Sequence, residues 1–337
     1  MRMLSLCAAL TALVSLSSAN AATLDTVKGR QALLCGVSQG APGFSTVNDK
    51  GEWSGMDVDF CRGLSAATLG DPAKVKFTPL SSKERFESIK SGDVDILARN
   101  TTWTMSRDGG GNPLSFIGVL YYDGQGFMAK KSLGVDSAEK LAGAAVCTNA
   151  GTTTELNIAD FFRTRGQKYD IVTFEKSDEA VAAYVAGRCD VYSTDVSGLY
   201  GYRPRLANPD EHVIMPEVIS KEPLGPAVRQ GDDQWFKIAR WVLFAVINAE
   251  ELGVTSKNVD EMKASPNPEI KRLLGVEGDF GEKLGMSKDW GYQVIKAVGN
   301  YGEMFNRNLG EGSPMKIRRG LNNLWNKGGI LYAPPVR

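Results

Sequence analysis

The sequence predicts an α/β protein of two lobes connected by two extended segments. Three observations indicate this fold. Short apolar strands alternate with amphipathic helices along most of the chain, and this alternation starts again near the middle. Two segments rich in glycine or proline, one between the two runs of elements and one after the second run, are suited to cross between the lobes.

The first run of alternating elements covers residues 33–98, and the second covers residues 144–193. Each run contains three strands separated by two helices. In the first run, we predict strands at 33–37, 75–79 and 94–98, and helices at 56–69 and 83–90. In the second, we predict strands at 144–147, 171–174 and 190–193, and helices at 153–163 and 178–186.

The two runs also resemble each other residue by residue. Residues 89–100 align without gaps with residues 184–195, and in both a helix ends at a glycine suited to a left-handed cap. The following strand ends at Asn100 in the first copy and at Asp195 in the second. Ligands of open α/β sheets bind at the carboxyl ends of strands, so each lobe is expected to present a polar group there.

The two connecting segments are predicted at 121–126 and 220–227. A long helical stretch begins at Asp233, and if it packs on the first lobe, the chain passes between lobes twice. We therefore divide the chain into residues 22–121 (first part of lobe 1), 122–222 (lobe 2), and 223–337 (return to lobe 1 and helical tail).

The amino terminus has the pattern of a removable export signal. Arg2 precedes an apolar run at 4–16, and small residues follow at 19–21. A membrane anchor is the alternative, but a spanning helix needs about 20 apolar residues. We expect residues 1–21 to be removed, so that the mature chain begins near Ala22 in the periplasm.

Four cysteines remain outside this signal: Cys35, Cys61, Cys147 and Cys189. An even number in an exported chain favours disulfides, and three pairings are possible. We favour Cys35 with Cys61 and Cys147 with Cys189, because each pair then stays within one lobe. None has the C-x-x-C spacing of a metal site, and the single histidine, His212, is expected at the surface.

Composition excludes several classes of function. The chain has 39 basic and 39 acidic residues, so it lacks the charge footprint of a nucleic-acid-binding protein. It also lacks a phosphate-binding loop, the zinc motif H-E-x-x-H and the hydrolase motif G-x-S-x-G. We expect no cofactor, no metal and no nucleic-acid partner.

The segment after the third strand carries the groups that a small anion needs. Asn100, Thr101, Thr102 and Trp103 follow the strand, and Arg107 ends the loop. Hydroxyls can donate hydrogen bonds, and a guanidinium can bind a carboxylate with two parallel bonds. The alternative is an ordinary capping loop with Arg107 paired at the surface.

Lobe 2 carries a counterpart. Gly151, Thr152 and Thr153 open a helix, whose free N–H groups favour an anion. Thr152 and Glu155 also fit a capping box, and both interpretations can hold. Asp195 is a candidate partner for an ammonium group, or alternatively an N-cap. Together, the three sites could bind both ends of a zwitterionic amino acid.

These stretches resemble the bacterial extracellular solute-binding proteins of family 3. The similarity extends over residues 33–252. The sequences of residues 98–104 and of the carboxyl terminus resemble those of the general L-amino-acid-binding branch. The stretches that carry it are residues 55–60, 92–95, 100–107, 151–153 and 187–195.

The resemblance implies a two-lobed periplasmic-binding-protein fold (type II) with two crossing hinge strands. It also implies that Arg107 binds the ligand α-carboxylate, assisted by Thr102 and by main-chain groups of Asn100 and Thr153, and that Asp195 binds the α-ammonium. The family often has an aromatic residue in the first loop. Here that loop begins at Ser38 and has Ala41 at this place, which suits a roomier pocket and broad selectivity.

By the same resemblance, the chain is expected to be the periplasmic binding component of an ABC importer. Its partners would be a free L-amino acid and the membrane permease subunits, and we expect a monomer. An amino-acid-precursor dehydratase on this scaffold is the alternative, but catalysis would need a positioned acid or base. Glu155 is the nearest candidate and is better explained as a cap, so we expect no enzyme activity.

Overall fold

The computed structural model describes residues 22–109, 111 and 114–337, so the predicted export signal lies outside the described residues. It confirms the predicted fold class, with two α/β lobes joined by a pair of short strands. The strands are β1 (Leu33–Ser38), β2 (Thr46–Val47), β3 (Trp53–Ser54), β4 (Val75–Leu80), β5 (Ile96–Leu97), β6 (Leu114–Phe116), β7 (Tyr121–Asp123), β8 (Gln125–Lys130), β9 (Ala145–Asn149), β10 (Asp170–Phe174), β11 (Val191–Asp195), β12 (His212–Ile214), β13 (Glu222–Leu224) and β14 (Ala227–Arg229).

Helices cover these sheets and form most of the carboxyl-terminal tail. The α-helices are α1 (Thr23–Arg30), α2 (Met56–Leu69), α3 (Arg85–Ser91), α4 (Met105–Asp108), α5 (Thr153–Thr164), α6 (Ser177–Val185), α7 (Val196–Tyr202), α8 (Asp233–Glu251), α9 (Val259–Met262), α10 (Pro268–Leu273), α11 (Phe280–Lys283), α12 (Trp290–Val298) and α13 (Tyr301–Asn308). Short 3₁₀ turns lie at Lys131–Leu133, Ala138–Lys140, Arg203–Arg205, Pro209–Glu211, Gly320–Asn322 and Trp325–Lys327.

The two main sheets have equivalent topologies. Lobe 1 contains the order β4-β1-β5-β14-β6, and lobe 2 contains β10-β9-β11-β8-β12. In each sheet three neighbouring strands are parallel, and the remaining two are antiparallel to their neighbours. The gapless similarity between residues 89–100 and 184–195 therefore corresponds to the same place in two related sheets.

The chain crosses between the lobes on β7 and β13, which pair with each other as antiparallel strands. β8 follows the first crossing and pairs with β11 in the lobe 2 sheet, whereas β14 follows the second and pairs with β5 in the lobe 1 sheet. Each crossing strand is thus followed directly by a strand that is hydrogen-bonded within one of the two main sheets. The residue limits assigned to the lobes from sequence remain a prediction.

The helical tail packs on lobe 1. On α8, the residues Trp235, Ile238, Val242 and Val246 recur at helical spacing and are all buried, as the sequence pattern predicts. α8 and α12 pack against α2, and the core they share also includes residues of the lobe 1 sheet. Among the described residues, no helix combines the length and apolar character required to cross a bilayer.

One expectation from the sequence was wrong. His212 was expected at the surface, but it starts β12 and is only 5% exposed. Its Nδ1 lies 2.6 Å from the hydroxyl of Tyr184, which is also buried. The aromatic ring and the hydrogen bond make it a core residue of lobe 2.

Two disulfides hold the lobes internally. Cys35 is joined to Cys61 and Cys147 to Cys189, the pairing favoured from sequence. The first ties β1 to α2 in lobe 1, and the second ties β9 to the turn that precedes β11 in lobe 2. Neither bond connects one lobe to the other, so neither restricts movement about β7 and β13.

Removing the lobe 2 disulfide should destabilise the protein. The bond closes a loop with a sequence separation of 42 residues. We expect Cys147→Ala with Cys189→Ala to lower the free energy of unfolding by about 2–3 kcal/mol, because the unfolded chain regains entropy. Guanidinium unfolding followed by circular dichroism measures this, and an unchanged midpoint would contradict it. The oxidised parent protein, which keeps both disulfides, is the reference.

Candidate functional site

A polar cleft lies between the lobes and has about 640 Å³ of empty space, counting the part open to solvent. Residues at the carboxyl ends of β1, β5, β9 and β11 line it, as expected for open α/β sheets. Six of the ten residues predicted from sequence to bind a ligand line this cleft: Ser38, Asn100, Thr102, Thr152, Thr153 and Asp195.

Asn100 enters the cleft from lobe 1 with an unusual backbone. Its φ is +34°, a conformation that non-glycine residues rarely adopt. The carboxylate of Asp57 holds it there by accepting a hydrogen bond from the Asn100 N–H at 2.8 Å. Burial raises the pKa of Asp57 to about 7, although this hydrogen bond and the nearby Arg99 oppose the shift.

Asp195 enters the cleft from lobe 2, at the end of β11 and directly before α7. Its side chain makes no capping hydrogen bond to the described helix, so the N-cap alternative does not account for it. Burial raises the pKa of Asp195 well above its usual range, and the carboxylates of Asp123 and Glu222 raise it further. Asn100 and Arg85 partly oppose this rise. A bound cation would relieve the unfavourable environment of this carboxylate.

Arg107 lies beside the cleft but does not line it. Its Nη1 donates to the carbonyl oxygen of Thr102 at 2.9 Å, and its guanidinium lies over the ring of Phe86. Burial lowers the pKa of Arg107, whereas Glu222 and Asp195 act in the opposite direction. The surface-paired alternative fails, because Arg107 is buried. The guanidinium therefore sits behind Thr102, on the cleft side of lobe 1.

Three other predicted residues also lie outside the cleft lining. Thr101 is fully buried behind the cleft, and its hydroxyl accepts a 3.4 Å hydrogen bond from Arg85. The ring of Trp103 stacks on Phe116 instead of facing the cleft. Gly151 donates its N–H to Glu155 at 3.0 Å, so its backbone serves the start of α5.

Thr152 and Thr153 begin α5 and have different roles. The Thr152 hydroxyl accepts a hydrogen bond from the N–H of Glu155 at 3.3 Å, which is one half of the predicted capping box, whereas the Glu155 carboxylate accepts from Gly151 instead of from Thr152. Both threonines also line the cleft. The two interpretations left open by the sequence, a cap and a ligand contact, are therefore geometrically compatible.

Glu222, on the crossing strand β13, connects both lobes and was not identified from sequence. Its Oε2 accepts hydrogen bonds from the hydroxyls of Thr102 in lobe 1 (2.6 Å) and Thr153 in lobe 2 (2.9 Å). Its Oε1 accepts from Asn157 (2.7 Å) and Ser220 (2.6 Å). The side chain is buried, so four donors depend on one carboxylate between the lobes.

Glu222→Gln should destabilise this arrangement. The amide nitrogen cannot accept hydrogen bonds, so donors that now bind one oxygen lose their acceptor, at a cost of about 1–2 kcal/mol. We expect a lower midpoint of thermal unfolding in the ligand-free protein. Glu87→Gln, at an exposed side chain of lobe 1, is the control and should leave the midpoint unchanged. Equal midpoints for the two variants would contradict the role of Glu222.

Two arginines that were not identified from sequence also line the cleft: Arg85 at the start of α3 and Arg99 after β5. Arg99 is held by the carbonyl oxygen of Leu80 and the hydroxyl of Ser82, both at 3.0 Å. Burial lowers the pKa of both arginines. Within the described part of the chain, no cluster of three histidine, cysteine, aspartate or glutamate side chains could hold a metal ion.

The fold and the cleft define a class of protein. Two α/β lobes, joined by two crossing strands and separated by a polar cleft, are the architecture of the periplasmic binding proteins. A model of the bacterial extracellular solute-binding proteins, family 3, matches residues 33–260. The chain belongs to this family.

Relatives resemble the chain over nearly its full length. The general L-amino acid-binding periplasmic protein AapJ of Rhizobium johnstonii is 60% identical, covering 96% of this chain and 95% of that protein. The glutamate/glutamine/aspartate/asparagine-binding protein BztA of Rhodobacter capsulatus is 50% identical, covering 98% and 97%. A solved periplasmic binding protein from Brucella ovis with glutathione bound is 58% identical with a TM-score of 0.92, covering 94% of this chain and 100% of that chain.

Proposed function

We propose that this chain is the substrate-binding component of an ABC importer for L-amino acids. One observation carries the proposal. Asp195 of lobe 2 lines the same cleft as Asn100 and Thr102 of lobe 1, and Arg107 lies directly behind Thr102, so an acidic acceptor and a basic group serve a single cavity. A zwitterion needs both, because each of its charged ends must be paired when it leaves water.

Asp195 binds the α-ammonium group in this proposal, and lobe 1 binds the α-carboxylate. The hydroxyls of Thr102 and Thr153 lie 3.3 Å apart across the two lobes, and both line the cleft. Arg107 supplies positive charge from behind Thr102. The first turn of α5, which starts at Thr153, adds N–H groups without helical partners.

Binding is coupled to closure of the two lobes. Contacts with lobe 1 and lobe 2 can be made together only when the cleft is shut, so a ligand shifts the population towards the closed form. β7 and β13 are the only segments that cross between the lobe sheets among the described strands, and they form the hinge. Permease subunits would then recognise surfaces that closure brings together.

Broad selectivity for amino-acid side chains follows from the free space near the loop that begins at Ser38. Ala41 lines the cleft, where an aromatic side chain would occupy space. AapJ is named a general L-amino acid-binding protein, the name of BztA cites four amino acids, and the Brucella ovis protein holds the tripeptide glutathione. We infer that the chain acts as an exported periplasmic monomer whose signal is cleaved, and that it binds its ligand without chemical conversion.

A ligand screen tests this function. The purified mature protein would be heated with each common L-amino acid, and with sugars and D-amino acids as controls. Several L-amino acids should raise the unfolding midpoint, because a ligand that binds only the folded state stabilises it. Recovery of unchanged ligand by mass spectrometry tests the absence of chemistry. No shift with any L-amino acid would refute the proposal.

A further inference from the structure

Three buried arginines gather on the lobe 1 side of the cleft: Arg85, Arg99 and Arg107, here called the arginine cluster. They are 3%, 8% and 8% exposed, and they are the only buried cationic side chains among the described residues. Arg85 and Arg99 line the cleft, while Arg107 lies behind Thr102. Such a concentration of buried positive charge is costly unless anions compensate it.

The protein itself provides little direct compensation. None of the ion pairs formed within residues 22–109, 111 and 114–337 includes a member of the arginine cluster. Asp57 and Asp195 act on Arg99 through space but lie beyond ion-pair distance. Asp57 is also engaged with the N–H of Asn100.

Arg85 has the most unused capacity of the three. The Nε of Arg85 is buried without a hydrogen-bond partner. The one hydrogen bond that its side chain makes to a described residue runs from Nη1 to the Thr101 hydroxyl and is long, at 3.4 Å. Neighbouring Arg99 uses Nε and Nη2 for Leu80 and Ser82, which leaves its other N–H groups for the cleft. Arg85 therefore lines the cleft with most of its N–H donors unused, and a buried guanidinium in this state calls for an acceptor.

One α-carboxylate does not account for two guanidiniums that line the cleft and a third behind it. The cleft also continues past Arg99. A second cavity, with about 360 Å³ of empty space counting the part open to solvent, shares Ser38, Arg99, Asn149 and Ser177 with the cleft. Arg99 therefore lies where the cleft and the second cavity meet.

We propose that Arg85 and Arg99 form a second anion subsite, which strengthens the binding of those amino acids that carry a distal carboxylate on the side chain, within the broad range that the cleft accepts. This inference rests on the proposed function, because it assumes that the α-amino and α-carboxylate groups are bound as described above. Glutamate fits this chemistry, whereas glutamine has nearly the same shape and no distal charge. A charge-assisted hydrogen bond to a carboxylate is about twice as strong as a neutral one.

Titration calorimetry with L-glutamate and L-glutamine tests the subsite. The parent protein should bind glutamate at least about tenfold more tightly than glutamine. In Arg85→Gln and in Arg99→Gln this preference should fall to about threefold or less, with glutamine affinity nearly unchanged. Arg85→Lys retains a positive charge and should restore part of the preference. Circular dichroism verifies that each variant is folded.

The outcomes separate the subsite from the general function. If the parent binds both ligands equally, or if each variant lowers both affinities by the same factor, the subsite is refuted while amino-acid binding stands. If neither ligand nor any other L-amino acid binds the parent, the proposed function itself fails. Glutamine affinity remains measurable in a folded variant, so a general loss of structure cannot imitate a selective loss of glutamate binding.

Discussion

Replacing Asp195 by asparagine is expected to weaken binding of every L-amino acid by about 3–5 kcal/mol, which is roughly 100- to 4,000-fold. The amide preserves the size of the side chain but cannot neutralise an ammonium group in the closed cleft. The loss should not depend on the ligand side chain, because all L-amino acids share the α-ammonium. Calorimetry with several ligands measures it.

Proton release gives a second measure of the same contact. Burial, together with Asp123 and Glu222, raises the pKa of Asp195 well above its usual range in the free protein. A bound ammonium favours the charged carboxylate and lowers this pKa, so binding should release protons and affinity should increase as pH rises towards the pKa of the free protein. Calorimetry in buffers of different ionisation enthalpy counts these protons.

The matched control for both measurements is Asp210→Asn, at a fully exposed lobe 2 side chain outside the cleft lining. It should retain the parent affinity and the parent proton release. D195N should lose most of both. If D195N binds normally, or if it binds weakly but releases as many protons as the parent, then Asp195 is not the ammonium acceptor.

Much of the fold could be predicted because local patterns and long-range packing agree. α2 spans Met56–Leu69, the range predicted, and α5 and β10 end or begin within one residue of the prediction. The ends of strands and helices were predicted wrongly where tertiary contacts determine them. β5 was predicted at residues 94–98 but pairs only at Ile96–Leu97, because Arg99 turns away to bind Leu80 and Asn100 has a positive φ.

The site was only partly predictable, for a physical reason. Residues that end strands or start helices, such as Asn100, Thr153 and Asp195, stand at places that topology brings to the cleft. Glu222 and Arg85 carry no such local signal. Glu222 lies on the crossing strand β13, and Arg85 starts α3, whose amino end faces the cleft only after folding. His212 was wrongly predicted at the surface because its hydrogen-bond partner in the core, the Tyr184 hydroxyl, lies 28 residues away in the sequence.

Arg107 should be needed for all amino acids, unlike Arg85 and Arg99. We expect Arg107→Gln to weaken glutamate and glutamine alike, by about 3 kcal/mol or more, because a buried α-carboxylate would lose its compensating charge. Arg107→Lys keeps the charge but loses the planar fork that binds the Thr102 carbonyl, so it should recover only part of the affinity. Calorimetry with both ligands measures the effect.

The comparison among arginines decides which one binds the α-carboxylate. Arg107 lies behind Thr102, so the α-carboxylate reaches its charge only if the ligand sits at the Thr102–Thr153 end of the cleft. Arg163→Gln, at an exposed lobe 2 arginine, controls for loss of a cation and should change neither affinity. If R107Q retains glutamine binding while R85Q abolishes it, the α-carboxylate binds Arg85 instead. That outcome would reverse the two subsites within the cleft and leave Asp195 as the fixed end of the ligand.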